Sequence, residues 1–431
     1  MEYKYVEYPT HWIYDNNTII IKQDFNKDIN LIKFDNKITS LEFANYKQLK
    51  HLSNFDHYLH YKKNIYSIFN KSVDNLPTLL LNLTFGYDFN QSVNNLPSSL
   101  LNLTFGSNFN QSVDNLPSNL LHLIFGFNFN QSVDNLPHSL IILTFGFNFN
   151  QPVDNLPSTL LNLTFDYYFS ELVDNLPSNL INLTLNCRFY ESINNLPKTL
   201  LNLILGDYYD EDVNSLPKNL KSLIFGRYFN QSVDNLPSSL QNLTFGNNFN
   251  QSVDNLPQSI LNLTFGNNFN QSLDNLPSSL QNLIFGEKFN QHVDNLPKLL
   301  ENITFGKEFN QHVDNLPQNL KKITFGEEFN QFVDNLPGSL ENLTLNCNFN
   351  QLLDNLPNSI ISIKFENCYN YYNFNKKINC LPNSIYEIKL PREYNKEIIN
   401  IPSNLKKIIC SSSYKFINKL KLKNINIELL N

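Results

Sequence analysis

The sequence has few of the residues that mark disulfide-rich, metal-binding or membrane-spanning proteins. Its 431 residues include 5 cysteines, 1 methionine, 1 tryptophan, 12 glycines and a single alanine, Ala44. The cysteines are odd in number and form no Cys-x-x-Cys pair, so we expect reduced thiols and neither a disulfide framework nor a zinc site. No apolar run approaches the roughly 20 residues of a transmembrane helix, so we expect no membrane partner.

Positive charge is also scarce. The 32 lysines and arginines are outnumbered by 39 aspartates and glutamates, which gives a formal net charge of −7. Surfaces that bind nucleic acid are normally basic, so this balance argues against a nucleic-acid partner. The first residues, MEYKYVEYPTHW, contain no apolar signal-peptide core. We therefore expect the protein to be cytoplasmic.

What the sequence has instead is a strict internal period. Pro77 recurs at intervals of 20 residues through Pro357, and two further units follow at Pro382 and Pro402 after a step of 25. Periods of this length are typical of solenoid proteins, in which each coil contacts only its neighbours. We therefore predict one stacked array in place of the roughly three globular domains that the length alone suggests.

Aligning the units gives columns of equivalent positions, and six of these columns are apolar. They are the columns of Val73, Leu76, Leu80, Leu83, Phe85 and Phe89. Within each unit, the segment Leu83-Thr84-Phe85 alternates between apolar and polar residues, which is the period of a β-strand. Leu-Pro restrains the preceding residue to an extended conformation. We predict a parallel β-solenoid with one short strand per 20-residue coil, an extended or 3₁₀-like convex side and little α-helix.

The glycines are concentrated at one position of the coil. Eleven of the 12 lie in the column directly after the strand, from Gly86 to Gly326. The exceptions in that column are Asp166, Asn186, Asn346 and Glu366. Gly, Asn and Asp tolerate a positive φ best, so we expect each strand to end in a left-handed residue.

Polar columns predict ladders of side chains between coils. Asn75 and Asn90 recur in most units, and an amide at the same corner of each coil can donate to and accept from its neighbours. The column of Asp74 is Asp or Asn throughout, which we interpret as an Asx turn that caps the Asn-Leu-Pro corner. The alternative is a calcium ladder. Calcium takes about six to eight oxygen ligands, and one carboxylate or amide per coil is too few.

The units LPSSLLNLTFGSNFNQSV and LPQSILNLTFGNNFNQSL resemble the FNIP repeat, a short relative of the leucine-rich repeat. That family occurs in social amoebae and in giant viruses that infect amoebae. The resemblance covers about residues 69–368 and implies a leucine-rich-repeat-like solenoid that binds proteins. Many relatives carry an N-terminal F-box, which implies an adaptor that recruits substrates to a host ubiquitin ligase. Residues 1–68 of this chain do not show that pattern clearly.

The units divide the chain into three predicted regions. Residues 1–68 form an N-terminal cap, in which residues 31–35 and 41–43 look like degenerate strands. Residues 69–368 form a solenoid of about 15 coils by the 20-residue period. Residues 369–431 contain an insertion, two divergent coils and a C-terminal cap, whose tail KLKLKNINIELL alternates like a terminal strand.

No motif for catalysis is present. The sequence has no Gly-rich phosphate loop, no His-Glu-x-x-His and no plausible Ser/His/Asp arrangement. His292 and His312 share a column one coil apart, and we interpret them as solvated side chains, with a metal site as the alternative. We therefore predict that the protein is not an enzyme and has no catalytic residues, cofactor or metal.

The two columns that follow the glycine vary most, and variable columns carry the information about binding in a repeat protein. Candidate partner-binding residues in this strip are Tyr87, Phe127, Phe147, Tyr167, Tyr168, Arg188, Tyr208, Arg227 and Tyr228. Tyr and Arg are frequent anchors of protein interfaces. Acidic residues, including Glu171, Glu191 and Asp207, add to this edge. The alternative interpretation is drift of surface positions under relaxed selection.

A register break supplies a second candidate. Five extra residues around residues 370–374 move Tyr371, Tyr372 and Phe374 out of phase, while Tyr369 is placed in the column of Phe89. Insertions in solenoids form loops that often bind partners, so Tyr371 and Tyr372 are further candidates. A buckle where the array ends is the alternative.

Two functions follow. The first is a non-enzymatic scaffold that presents one solenoid edge to a protein partner, in the host-cell cytoplasm if the chain is viral. The alternative is a substrate-recruiting adaptor whose partners include ubiquitin-ligase components.

Overall fold

The computed structural model describes residues 12–43, with gaps at 16, 23, 30–31, 33 and 36, and residues 67–430, with gaps at 187, 347, 367–373 and 375. These residues form two compact units, Met1–Tyr209 and Asp210–Asn431. The predictions for Tyr369, Tyr371 and Tyr372 therefore fall on residues outside the described ones.

The first unit is a parallel β-solenoid. Its strands are β1 (Trp12–Asp15), β2 (Thr18–Ile21), β3 (Ser40–Phe43), β4 (Asn82–Thr84), β5 (Asn102–Thr104), β6 (His122–Ile124), β7 (Ile142–Thr144), β8 (Asn162–Phe165), β9 (Asn182–Leu185) and β10 (Asn202–Leu205). β1 pairs antiparallel with β2, and each later strand pairs parallel with the one before it. The register sets identical columns opposite each other, as with Leu83 and Leu103.

The second unit repeats this arrangement. Its strands are β11 (Ser222–Ile224), β12 (Asn242–Thr244), β13 (Asn262–Thr264), β14 (Asn282–Ile284), β15 (Asn302–Thr304), β16 (Lys322–Thr324), β17 (Asn342–Leu345), β18 (Ser362–Phe365), β19 (Glu387–Lys389), β20 (Lys407–Ser411) and β21 (Asn426–Leu430). One short helix, α1 (Ile417–Lys421), precedes the last strand. All neighbouring pairs in this unit are parallel. The predicted fold class is confirmed.

The six apolar columns fill the interior, as predicted. Leu80, Leu83, Phe85 and Phe89 are each at most 2% exposed, and their equivalents in later coils behave alike. Phe85 stacks on Phe89 within its coil at 3.7 Å between ring centroids and on Phe105 of the next coil at 5.6 Å. Since burying a large apolar side chain contributes about 1.5–3 kcal/mol, these columns supply most of the stabilisation of each coil.

The glycine column has a different cause from the one predicted. No glycine in the described residues has a positive φ, and Asn424 alone among the other described residues has one, at 59°. A Cβ atom added at Gly106 would instead overlap the carbonyl oxygen of Gly86, and the same overlap recurs along the column. The glycines are therefore required because neighbouring backbones approach too closely for a side chain.

The coils that lack this glycine have strands of four residues, as does β10, which pairs with β9 and precedes Gly206. β8, β9, β17 and β18 each contain four residues, and each precedes Asp, Asn or Glu in the glycine column. The backbone N–H of Asn186 donates to the carbonyl oxygen of Phe165 at 3.1 Å, which continues the ladder through this position. A side chain is accommodated here because the backbone follows the strand one residue longer.

Amide ladders connect the coils at their polar corners, as predicted. The Oδ1 atom of Asn90 accepts from the backbone N–H of Asn110 at 2.9 Å and from Nε2 of Gln111 at 3.0 Å. The Asp74 corner differs in detail from the prediction of an Asx turn. There the Ser72 hydroxyl accepts from the N–H of Asp74 and donates to its carboxylate, while Asn95 of the next coil donates to the same carboxylate at 3.0 Å. Serine thus makes the local turn, and the aspartate links two coils.

Three local predictions at the ends of the chain were wrong. Phe374 continues the inner aromatic column, since its ring stacks on Phe349 at 6.0 Å and on Tyr394 at 6.1 Å, so the extra residues lie before this position. The described part of residues 31–35 contains no strand, whereas β1 and β2 were not predicted. In the predicted terminal strand, residues 419–421 belong to α1 and residues 422–424 form a turn, and only Asn426–Leu430 pairs with β20.

Candidate interaction surface

The candidate residues lie where each coil turns after its strand. The backbone N–H of Phe89 donates to the carbonyl oxygen of Gly86, so that only two residues remain at the tip of the turn. Backbone hydrogen bonds then join the tips, as from the N–H of Asn108 to the oxygen of Tyr87 at 2.9 Å. Because this bond recurs in successive coils, side chains in one tip column are held one coil apart.

Two tip columns of the first unit form this edge. The first tip column contains Tyr87, Ser107, Phe127, Phe147 and Tyr167. The second tip column contains Asp88, Asn108, Asn128, Asn148, Tyr168, Arg188 and Tyr208. We call these residues together the tip edge of the first unit.

Three rings of the first tip column stack in a continuous pile. Phe127 and Phe147 lie 4.4 Å apart between ring centroids with planes 8° apart, and Phe147 and Tyr167 lie 4.7 Å apart with planes 3° apart. Phe127, at the beginning of the pile, is 47% exposed. Stacking holds these rings in place before any partner arrives, so that their side-chain entropy is already lost.

Tyr168 packs against one side of the pile. Its ring meets Phe147 and Tyr167 edge-on, each at 5.1 Å between centroids. Aromatic pairs prefer this edge-to-face arrangement, which places the positive ring edge against a negative face. Tyr168 is still 48% exposed and therefore offers its outer surface to a partner.

Arg188 joins two tyrosines from different coils. Its guanidinium carbon lies 4.8 Å from the ring centroid of Tyr167 and 5.0 Å from that of Tyr208, and its Nε donates to the hydroxyl of Tyr167 at 2.8 Å. The hydrogen bond between the two tyrosines raises the pKa of Tyr167, and Arg188 partly opposes this shift. The same bond lowers the pKa of Tyr208, and Arg188 adds to that lowering. The sequence placed these residues in one strip but did not indicate this bridge.

Tyr190 is a residue that the sequence reasoning missed. It is 54% exposed, and its ring lies 6.5 Å from that of Tyr208. The available signal was its position, since it replaces an asparagine that recurs in the column of Asn90.

An open trough of about 580 Å³ lies beside the N-terminal part of the tip edge. Its lining consists of Asn26, Ile68, Asn70, Asp88, Asn90, Asn108 and Asn128. Part of this lining is an amide ladder, in which Asn108 donates to Asp88 at 2.9 Å and Asn128 donates to Asn108 at 3.0 Å. The trough is therefore polar, with one carboxylate at its edge.

The remaining candidates are distributed differently. Arg227 and Tyr228 lie in the second unit, where the guanidinium carbon of Arg227 is 6.0 Å from the ring centroid of Tyr228. In unit 2, the equivalent columns of later coils carry asparagine and charged residues, and Lys307 pairs with Glu327 at 3.4 Å. Within the first unit, the structure thus brings together the candidates from Phe127 to Tyr208.

The described ranges contain neither a metal-binding cluster nor a membrane-spanning helix. Nowhere in them do three or more His, Cys, Asp or Glu side chains cluster so that they could hold a metal ion. Among the same residues, no helix has both the length and the apolar character needed to cross a bilayer.

Comparison with known proteins supports the resemblance found in the sequence. A family model described as FNIP Repeat matches more than half of the chain, at residues 69–108, 92–128, 127–168, 212–248, 232–268, 249–288, 289–328 and 329–368. The crystal structure of CroV588, a giant-virus protein described as a novel circular LRR protein, is similar with a TM-score of 0.80 and 37% sequence identity. The likeness covers 98% of this chain but 65% of that chain, so this chain spans less than two thirds of its length.

Two bacterial structures were also found. YopM from Yersinia enterocolitica WA-314 has a TM-score of 0.43 and 20% identity, over 78% of this chain and 79% of that chain. An internalin, InlF, from Listeria monocytogenes has a TM-score of 0.32 and 15% identity, over 82% and 81%. No curated protein matches the chain.

Proposed function

The chain belongs to the FNIP repeat family, and on that premise we propose that it is a non-enzymatic scaffold that binds a protein partner through the tip edge of its first unit. Leucine-rich-repeat-like solenoids are typically interaction scaffolds, which supports the general role. The observation that carries the specific proposal is the exposed ring pile of Phe127, Phe147 and Tyr167 with Arg188 bound across Tyr167 and Tyr208.

Energetic considerations favour this edge over the rest of the surface. Hot spots of interfaces are enriched in Tyr and Arg and lie in rigid, well-packed clusters. The exposed columns elsewhere carry mainly Asn, Asp, Ser and Thr, and their exposed apolar residues, such as Phe332 and Leu352, do not form a ring pile with an arginine. Because the rings are held by stacking and by backbone bonds between tips, a partner would lose little further entropy in ordering them.

The experiment compares capture by three forms of the full chain. The forms are the wild type, an edge variant and a control variant. The edge variant combines Phe147→Ala, Tyr168→Ala and Arg188→Glu. The control variant combines Asn247→Ala and Asn267→Ala, which are the positions in the second unit that correspond to the first tip column. Each form is used as bait in lysate of the native cell, with recovered proteins quantified by mass spectrometry. We expect at least one protein to be recovered about tenfold less by the edge variant and equally by the control. Equal recovery of every protein by all three forms would contradict the proposal, provided the melting curves agree.

The adaptor role remains a second, weaker prediction. It depends on residues 1–68, of which the described part forms β1 to β3 and buries Leu41 and Phe43 against the next coil. The same mass-spectrometric experiment tests it, because ligase subunits would be recovered with the full chain and retained by the edge variant. Cytoplasmic localisation, likewise a prediction, is tested by imaging the tagged chain in that cell.

A further inference from the structure

The first tip column lacks one ring in an otherwise aromatic row. Tyr87, Phe127, Phe147 and Tyr167 occupy it, and Ser107 stands between the first two. The coil of Ser107 keeps its normal register. The backbone N–H of Asn108 donates to the carbonyl oxygen of Tyr87 at 2.9 Å, and the backbone N–H of Asn128 donates to the carbonyl oxygen of Ser107 at 2.8 Å. The backbone thus passes the gap unchanged, and only the side chain is missing.

The gap has the dimensions of one planar group. Stacked rings in this column lie 4.4 and 4.7 Å apart. Tyr87 and Phe127 are two coils apart, which corresponds to about 9–10 Å at the usual strand spacing. Phe127 is 47% exposed although Phe147 covers one of its faces, whereas Phe147, with a ring on each side, is only partly exposed. The accessible area of Phe127 is therefore on its edge and on the face above Ser107.

The charge beside the gap favours a cation. Asp88 and Asn108 follow Tyr87 and Ser107 and line the polar trough, whose described lining includes this one carboxylate and no lysine or arginine. One oxygen of Asp88 accepts from Asn108, and a carboxylate has further lone pairs for a second donor. An aromatic face beside a carboxylate is a favourable site for a guanidinium group.

The chain contains its own version of such a contact. Arg188 lies one coil after Tyr167 and one coil before Tyr208, with its guanidinium carbon within 5.0 Å of both ring centroids. Ser107 occupies the corresponding middle coil between Tyr87 and Phe127. A guanidinium is planar and stacks on rings, whereas an ammonium is compact and strongly hydrated, which favours arginine over lysine.

From these observations we infer that the gap at Ser107 receives an arginine side chain of the protein partner. The guanidinium stacks on Phe127 in the position of the missing ring and donates to the carboxylate of Asp88. This inference rests on the proposed function and specifies the chemistry of its partner. The partner's contacting segment then carries at least one exposed arginine.

The test measures binding of small probes at Phe127 itself. A single 4-fluorophenylalanine is placed at position 127 of the full chain, and its ¹⁹F shift is followed during titration with N-acetyl-arginine amide. The citrulline, lysine and phenylalanine analogues serve as comparison probes. We expect a saturable shift with the arginine probe. Its Kd should be at least about fivefold lower than the Kd of the citrulline or lysine probe. A response equal to or stronger with the phenylalanine probe would overturn the inference in favour of an aromatic occupant, as would no saturable response to the arginine probe.

Two variants locate the site. Ser107→Phe supplies the missing ring and should abolish the saturable shift, whereas the matched Asn247→Phe in the second unit should leave it unchanged. Asp88→Asn keeps a side-chain acceptor for Asn108 and should weaken the arginine probe about threefold or more. Retention of wild-type binding by both Ser107→Phe and Asp88→Asn would overturn the inference. The capture experiment above stays independent, since it alters Phe147, Tyr168 and Arg188 and leaves Ser107 and Asp88 intact.

Discussion

The rings of Phe245 and Phe249 stack face to face within one coil, with centroids 3.7 Å apart and planes 8° apart. The strand ends one residue before Phe245, and the tip turn returns to the core at Phe249, so this pair packs the turn against the sheet. Phe245 also stacks on Phe225 at 5.5 Å and on Phe265 at 5.6 Å. The ring of Phe245 thus stacks on three other rings at once.

The first prediction removes one such ring. Phe245→Ala leaves a cavity between three coils and should lower the free energy of unfolding by about 3–5 kcal/mol. Asn247→Ala, two residues away at the exposed tip, should change it by less than about 0.5 kcal/mol. Urea denaturation followed by circular dichroism measures both, and equal losses would contradict the assignment of inside and outside positions.

The second prediction concerns the close approach of backbones at the glycine column. Gly266→Ala would place a methyl group on the carbonyl oxygen of Gly246 and should destabilise the protein by about 1–3 kcal/mol. Gly338→Ala is the matched control, because a Cβ there meets nothing within 4 Å and the substitution restricts the unfolded chain. Thermal melts should therefore separate the two variants, and a neutral Gly266→Ala would refute the close approach.

The third prediction interrupts an amide ladder. Asn110 Oδ1 accepts from the backbone N–H of Asn130 at 2.9 Å and from Nε2 of Gln131 at 3.0 Å. Asn110→Ala leaves both donors without this acceptor and should cost about 1–3 kcal/mol. Asn110→Asp keeps the acceptor and should cost less, as Asp210 already accepts from the N–H of Asn230 at 2.7 Å. Hydrogen exchange of the Asn130 amide should accelerate in the alanine variant and little in the aspartate variant.

The fourth prediction concerns acid. Ser112 donates to one carboxylate oxygen of Asp114 at 2.7 Å and Asn135 to the other at 3.1 Å, which lowers the pKa of Asp114 below its ordinary value of 3.8. Hydrogen bonds from a serine and an asparagine also lower the pKa values of Asp74, Asp234 and Asp274. Since a lowered folded-state pKa stabilises the ionised form, this contribution is present above about pH 4 and is lost as the pH falls through the folded pKa.

Melting temperature measured between about pH 2 and pH 6 tests this effect. Replacing all four aspartates by asparagine should flatten the decline below about pH 4, because asparagine does not titrate. An unchanged pH profile in that variant would show that other carboxylates dominate acid unfolding.

The interior could be predicted from the sequence because the period of 20 residues fixes which positions are equivalent. When strands of adjacent coils pair in register, equivalent apolar residues lie next to each other in the core. The cause of the glycine column could not, because Gly, Asn and Asp fit both a positive φ and a tight backbone contact, and the sequence does not give the distance between coils. The position of Phe374 was missed for a similar reason: two aromatic residues, Tyr369 and Phe374, competed for one column.

The candidate surface was predictable in part. The column rule correctly predicted that Phe127 and Phe147 are neighbours, because adjacent coils bring equal positions together. It did not indicate that Arg188 crosses between the first and second tip columns to reach Tyr167, since that depends on the reach and orientation of a long side chain.

The repeated contact of Gly246, Gly266 and Gly286 has an evolutionary consequence. Excision of residues 250–269 would join Phe249 to Asn270 and set Gly286 against Gly246, which recreates a junction that the protein already contains. Unequal recombination within the gene can therefore add or remove whole coils without creating a new interface. The number of coils can thus change while the sequence of each coil stays the same. The area of surface on which new contacts can evolve changes with that number.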